Sequence, residues 1–482
     1  MSKYKSRLTT EEIEANFAEI DPKLSEAEAL FEANKCLYCY DAPCTNACPT
    51  HIDVPSFIKK IASDNLRGSA RVIFDANPIG GSCAHVCPVE VLCEGACVEK
   101  TLVEKPIQIA RLQRYATDHA IDNSIDLFEI PESNGKTVGI VGSGPAGLSC
   151  AAYLSRLGYK VTVYEKREKA GGLDTYGMAE YKMTQQDSLD EVEMIERMGV
   201  EFRLNTVVNS GKQEGRSEGA QDGVSAAEQD RETAGKRDGE TNLKPETRNL
   251  KPNEIDFTDL IDSHEAVFLS VGLGKTNDLG VPGEDLEGVL ESLEFIEAVK
   301  SRNWNEVPLG DAVAVVGAGN TAVDVVTQAK RLGSPKVMMV YRRTRRDMSA
   351  FDYEYELAKS DAVEFVWQAS PIEIVGNGKV EALRCKKNDG SEEIFDIPCD
   401  MVIKAIGQKK RTAFYDGAGI ETDEKGRVVI DESMKTSLDK VFAGGDCVNG
   451  GAEAVDASQA GKKAASGIHR ALFGEDIEFA GL

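Results

Sequence analysis

The sequence predicts an α/β chain: a helical, cysteine-rich front followed by two doubly wound α/β layers, the second threaded into the first. Three observations carry that prediction. Eight of the twelve cysteines fall between Cys36 and Cys97, in a stretch with few strand signals. Two strand, glycine turn, helix, strand units begin at Lys136 and Asp311. A last strand, glycine loop and helix, Lys440 to Ala465, return to the first of those layers.

With 482 residues, the chain exceeds what one hydrophobic core can organise. Its 56 basic and 81 acidic side chains leave a net charge of −25. Such a surface repels phosphate backbones and anionic lipid, which excludes nucleic acid and membrane as main partners. No apolar run approaches the roughly 20 residues of a membrane span. The acidic start MSKYKSRLTTEEIEANF reads as neither a secretory signal nor an Arg-rich transit peptide. A cytoplasmic protein is expected, whose thiols stay reduced, and that argues against disulfides.

Residues 1–130 are expected to form the helical domain. In HIDVPSFIKKIASDNLRGSARVIF, Ile52, Phe57, Ile58, Ile61 and Leu66 recur at helical spacing and belong to a core.

From Lys136 the texture changes. TVGIV is a strand, Gly142, Gly144 and Gly147 form GxGxxG, and Pro145 and Ala146 start the following helix. Gly142 makes the tight turn, Gly144 admits a pyrophosphate to the backbone, and Gly147 allows close helix–strand packing. The helix N-terminus supplies amide donors. The next strand ends at Glu165, followed by Lys166, which places a carboxylate for ribose hydroxyls. Gly172-Leu173, Gly272 near the end of AVFLSVGLG, and Gly445-Asp446 before a helix opening at Ala454-Val455 resemble the flavin-contacting loops of two-dinucleotide flavoproteins, a resemblance that implies FAD at this site. The first part of this FAD-binding domain is expected over 131–284, the second over 401–482.

Within it, residues 209–252 have no aromatic side chain and only Val224, Leu243 and Leu250 as large aliphatics. They cannot bury enough apolar area to order themselves, and read as a mobile insertion tolerated at a hairpin tip.

The second unit is expected over 285–400. Gly317, Gly319 and Ala322 give GxGxxA, with Asn320 and Thr321 opening the helix. Its second strand ends without an acid and runs into Arg342, Arg343, Arg345 and Arg346. Guanidinium forks suit a 2′-phosphate, so NADPH is expected in preference to NADH.

The cysteines leave two chemistries open. Cys36-x2-Cys39 fits a zinc site, and eight thiols would fill two. Cys44 and Cys48 follow at x4 and x3 with Pro49 next, which follows the logic of cluster ferredoxins. Cys83, Cys87, Cys93 and Cys97 form the second knot. Beside a flavin and a nicotinamide, one-electron carriers make chemical sense where inert zinc does not.

The runs CLYCYDAPCTNACP, CPVEVLCEGAC and IARLQRYATD, with both glycine fingerprints and the GGD loop, resemble the amino-terminal half of dihydropyrimidine dehydrogenase and its bacterial NAD(P)H-oxidising (PreT-type) subunits. These stand within the glutamate synthase small-subunit-like flavoproteins. The resemblance implies an α/β fold with a helical iron–sulfur domain and two Rossmann-like domains, the NADPH domain inserted in the FAD domain. It also implies two 4Fe–4S clusters, one on Cys36, Cys39, Cys44 and Cys97, the other on Cys48, Cys87, Cys93 and Gln113. Cys83 is then a non-ligand. The implied activity is electron input: NADPH reduces FAD, and the clusters carry electrons to a partner. The chain ends soon after the FAD domain closes, so the catalytic half is expected on another polypeptide, a dihydropyrimidine dehydrogenase catalytic subunit. Glutamate synthase and ferredoxin:NADP oxidoreductase roles are the alternatives. No acid–base catalytic constellation is expected.

Overall fold

The computed structural model describes residues 8–210 and 253–481. The first strand is Thr137–Val141, and all that precedes it is helix and loop. Helices Val54–Ala62 and Leu66–Ala76 meet at a break where Asp64 takes φ 57°. Ile52, Phe57, Ile58 and Ile61 are buried with Leu112 and Ala116 of the helix Ile109–Asp122, and Leu66 packs at the margin.

Five parallel strands make the first sheet, in the order Val441–Ala443, Ala266–Leu269, Thr137–Val141, Lys160–Tyr164, Glu201–Arg203. A second parallel sheet follows the order Glu364–Trp367, Lys336–Tyr341, Ala312–Val316, Met401–Lys404, Val289–Glu291. Every strand of the second sheet lies between Leu269 and Val441, so the second layer is inserted in the first. Nearly unbroken apolar strands such as AVAVV and KVMMVY are what parallel strands covered on both faces require.

Three sequence expectations need correction or extension. Met401–Lys404 pairs with Ala312–Val316, so the second layer runs past the boundary expected at 400. Its MVIK is buried throughout, as a strand inside a parallel sheet must be, with Lys404 paired to Glu284 at 3.2 Å. The strands flanking the insertion, Thr206–Asn209 and Asn253–Asp256, pair parallel, with Thr206 opposite Asn253. A hairpin joins antiparallel strands, so these strands do not form one. The mobility expected of 209–252 concerns residues that, from 211 on, lie outside those described. Finally, Ala369–Gly376, Val380–Lys387 and Ile394–Pro398 form an antiparallel sheet that the sequence reading did not separate. Its register slips between Val375 and Gly376, which breaks the alternation a strand search relies on.

Side chains lock the layers together. Helix Ala454–Phe473 crosses Pro145–Ser155 closely enough that a Cβ on Gly461 would lie 2.2 Å from the Ala146 carbonyl oxygen. Glu191 reaches the cysteine-bearing helix Gly80–Val86, accepting from the amides of Gly81 at 2.7 Å and Ser82 at 3.0 Å. Tyr181 is buried in the core of the second layer, and Lys182 pairs there with Asp324 at 2.7 Å and Glu354 at 2.5 Å.

Candidate functional site

Both glycine fingerprints are built as their spacing predicts. Gly142 has φ 98°, and a Cβ there would lie 2.5 Å from the Ser270 carbonyl oxygen. A Cβ on Gly147 would meet the Gly142 carbonyl oxygen at 2.1 Å. Gly144 differs: a Cβ there would approach only the Gly172 Cα, at 3.9 Å, so its face is open. Gly144 caps the helix Pro145–Ser155 without a side-chain acceptor, which leaves first-turn amides free. An open glycine face beside unpaired amides fits a dinucleotide diphosphate.

Around this cradle stand the other expected contacts. Glu165 is buried and accepts from the Ser143 hydroxyl at 2.7 Å and the Arg167 amide at 2.9 Å. Lys166 turns outward. Gly172, with φ 60°, brings the following turn against Gly144, and Leu173 starts the short helix Leu173–Tyr176. Gly272, also at φ 60°, has no neighbour for a Cβ within 4 Å. Gly445 abuts Ala146, and Asp446 accepts from the Ala452 amide at 3.3 Å. Burial raises the Asp446 carboxyl above the ordinary range. Ala454 opens the final helix, and Val455 lines the second cysteine hollow described below.

In the second layer, Gly317 has φ 141°, and a Cβ there would clash with the Ala405 carbonyl oxygen at 2.1 Å. Gly319 caps helix Asn320–Arg331 without a side-chain bond, and Asn320 accepts from the Phe351 amide at 3.2 Å. Thr321 is half-buried and Ala322 fully buried. The four arginines part company here. Arg345 stacks on Tyr355 at 4.1 Å and pairs with Asp352. Arg342, Arg343 and Arg346 are exposed, with no ion pair among the described residues.

All twelve cysteines are free thiols. Cys36, Cys39, Cys44 and Cys97 line one hollow of about 380 Å³, its open mouth included. Cys48, Cys87, Cys93 and Gln113 line another of about 350 Å³, which Cys83 also borders. The structure thus brings together the same two sets of four. Among the described residues, no three or more His, Cys, Asp or Glu side chains converge to hold a metal ion; the thiols stand around hollows instead. The amide nitrogen of Gln113 donates to the Gly80 carbonyl at 2.6 Å, which leaves the amide oxygen available to the hollow. Cys83 accepts from Asn77 at 3.1 Å.

Electrostatics tell how such hollows behave. Burial pushes the Cys44 thiol up to about 12, with Cys97 and Cys36 adding repulsion. Cys87 is raised by its contact with Cys83 and by burial, and Cys93 by burial with Glu94 beside it. Crowded, buried thiols stay protonated unless cationic iron compensates them as thiolates, and that donor set fits iron–sulfur cubes. Cys150, Cys385, Cys399 and Cys447 are buried away from these hollows.

Sequence reasoning missed Asp174, buried directly after Gly172 and Leu173, and Lys182, which joins the layers. Asp174 could have been found as a charged residue inside a glycine-rich turn.

Comparison with known proteins agrees with this geometry. Residues 136–461 match the family described as pyridine nucleotide-disulphide oxidoreductase. Residues 13–125 match dihydropyrimidine dehydrogenase domain II, 4Fe-4S cluster. The chain is 31% identical to the glutamate synthase [NADPH] small chain of Escherichia coli K12, over 94% of its length and 93% of that protein. It is 29% identical to the NAD-dependent dihydropyrimidine dehydrogenase subunit PreT of the same organism, over 95% and 97%. The solved structure of FprA, a Mycobacterium tuberculosis oxidoreductase, superposes with a TM-score of 0.50 at 18% identity, over 72% of this chain and 88% of that one, which speaks to the fold. The chain belongs to the pyridine nucleotide-disulphide oxidoreductase family, as an NAD(P)H-dependent FAD and iron–sulfur oxidoreductase that carries a dihydropyrimidine dehydrogenase-type 4Fe–4S domain ahead of its nucleotide layers.

Proposed function

We propose that the chain feeds electrons from NADPH to a partner subunit that holds the substrate-reducing centre. When bound, flavin accepts a hydride's electron pair and iron–sulfur clusters carry electrons singly. Cys36, Cys39, Cys44 and Cys97 would hold one 4Fe–4S cluster, and Cys48, Cys87, Cys93 and Gln113 the other. The open Gly144 face and its helix amides would seat the FAD diphosphate, with Glu165 near the ribose and Asp446 near the ribityl chain. Gly317 to Ala322 would receive the nicotinamide coenzyme. Arg342, Arg343 and Arg346, left free of ion pairs among the described residues, support NADPH.

One observation carries the reading: the second hollow packs against the first nucleotide layer, and the first is lined by residues next to exposed apolar side chains. Cys48 and Cys87 pack on the core of the first nucleotide layer, and Val455 of that layer's last helix lines their hollow. The first hollow is bordered by Leu37 and Val98, and the segments carrying its cysteines also carry exposed Tyr38, Tyr40, Leu102 and Val103. Exposed apolar side chains beside a redox hollow suit an interaction surface, and here they would help seat the electron-accepting partner. Among the described residues, no helix is long and apolar enough to cross a membrane.

Gln113 and the DAPC motif favour a dihydropyrimidine dehydrogenase catalytic subunit as partner. The 31% identity to a glutamate synthase small chain supports a second reading, with a glutamine-using partner. Anaerobic purification should yield a brown protein with about eight irons and one FAD. Alone, it should oxidise NADPH with artificial acceptors and leave uracil unreduced. A co-purifying dihydroorotate-dehydrogenase-like barrel supports the first partner, an amidotransferase-containing chain the second. Uracil turnover by the isolated chain would sink the electron-input reading.

A further inference from the structure

A hydride that is dispatched as single electrons leaves a proton behind. It brings two electrons and one hydrogen nucleus to the flavin, whereas iron–sulfur clusters accept electrons alone. Each hydride consumed therefore obliges the flavin site to shed one proton into buried surroundings.

Three titratable groups beside the flavin cradle, Asp174 and Lys300 buried and Glu180 half-buried, have no part in nucleotide or cluster binding. Asp174 is 1% exposed, and neither of its carboxylate oxygens has a hydrogen-bond partner among the described residues. Lys300 lies in the last turn of the helix Ser292–Ser301 of the second layer, its side chain fully buried. It donates to the Met183 carbonyl at 2.6 Å and lies 3.5 Å from Oε2 of Glu180. That Glu180 oxygen is also buried without a hydrogen-bond partner among the described residues.

The charged surroundings are few. Asp174 interacts with Lys300 and Asp446, and acts in turn on Glu191 and Cys83. Lys300 interacts with Glu180, Asp187 and Asp174. Glu191 is engaged by Gly81 and Ser82, Asp187 by Thr184, and Asp446 by Ala452. Asp174 and Glu180 are the carboxyls with oxygens to spare. One ammonium cannot keep both the buried Asp174 carboxylate and the half-buried Glu180 carboxylate charged, so the trio holds an exchangeable proton near neutrality. Burial accordingly pushes both Asp174 and Glu180 up to about 7, with Lys300 opposing it.

We propose that Asp174, backed by Lys300 and Glu180, takes the proton that the flavin releases as its electrons depart, and passes it along the boundary between the two nucleotide layers. The balance closes. A hydride arrives, two electrons leave for the clusters, and one proton converts the Asp174 carboxylate to the acid. The Lys300 ammonium gives a proton to the Glu180 carboxylate 3.5 Å away and regains one from the Asp174 acid. This rests on FAD occupying the first glycine site.

The test uses the full-length, FAD-loaded, iron–sulfur-replete protein under anaerobic conditions. In the wild type, the visible band of oxidised flavin should shift with pH around 7, following Asp174. Asp174→Asn should abolish that transition at full FAD content. In single-turnover mixing with NADPH, Asp174→Asn should slow cluster reduction roughly 100-fold, well beyond any loss in flavin reduction. Asp174→Glu, or added formate, should restore it. Lys300→Met and Glu180→Gln provide second variants should Asp174→Asn fold poorly, and each should move the flavin's pH transition. An unchanged transition and unchanged cluster reduction in variants that retain FAD would overturn this inference alone. A wild type that binds no FAD would overturn the underlying reading with it.

Discussion

Gln113 donates through its nitrogen to Gly80 and borders a hollow that three thiols share. Gln113→Ala should therefore cost the second cluster and leave about four of eight irons, counted chemically alongside acid-labile sulfide. Gln113→Glu, which keeps an oxygen in place, should retain it. Arg342→Ala and Arg343→Ala should each raise the KM for NADPH and leave that for NADH nearly unchanged. A charge-assisted bond worth about 1.5–3 kcal/mol predicts a change of roughly tenfold to 100-fold. At this scale the sequence was legible unevenly. Glycine spacing identifies Gly142, Gly147 and Gly317 because backbone clashes leave no other residue there. The four arginines look alike in a string, and only the fold shows that the Tyr355 ring and the Asp352 carboxylate withdraw Arg345 from the coenzyme side. Gln113 sits on an ordinary amphipathic helix, and its reading came from resemblance, not from periodicity.

Helices and turns give sharper contrasts. Gly144→Ala places a methyl in open space, so the protein should fold and lose FAD, visible as a colour change after desalting. Gly147→Ala drives a methyl to 2.1 Å from a carbonyl oxygen, and overpacking of about 1–3 kcal/mol should lower thermal stability instead. Glu191 ties the helix Gln185–Arg197 to Gly80–Val86, and burial pushes its carboxyl up to about 8. Its folded value exceeds the unfolded one of about 4.3, so its share of stability is complete at low pH and fades as pH rises through about 8. The unfolding midpoint of the metal-free protein should fall between pH 5 and 8.5, and Glu191→Gln should flatten that fall. Parallel strands and their glycine turns were legible because their signals are local. The antiparallel sheet was not, since its bulge at Gly376 scrambles the alternation, and the pairing across 209–252 depends on strands far apart in sequence.

At the scale of the molecule, Lys182 pairs across the layers with Asp324 and Glu354, and Tyr181 donates to Asp324 at 3.1 Å. Lys182→Met would leave two buried carboxylates without a cation, and a loss of about 3–5 kcal/mol is expected from denaturant unfolding. Sequence could not announce this cluster, because Lys182 and Glu354 are 172 positions apart and each reads alone as an ordinary surface charge. The same plug has a kinetic consequence. With Ala179 and Tyr181 seated in the neighbouring layer's core and Arg331 stacked over the Tyr181 ring, the two glycine sites are held at fixed separation. Coenzyme exchange must then proceed without a large swivel of one layer against the other. Thickening the solvent with sucrose should accordingly leave the turnover number untouched.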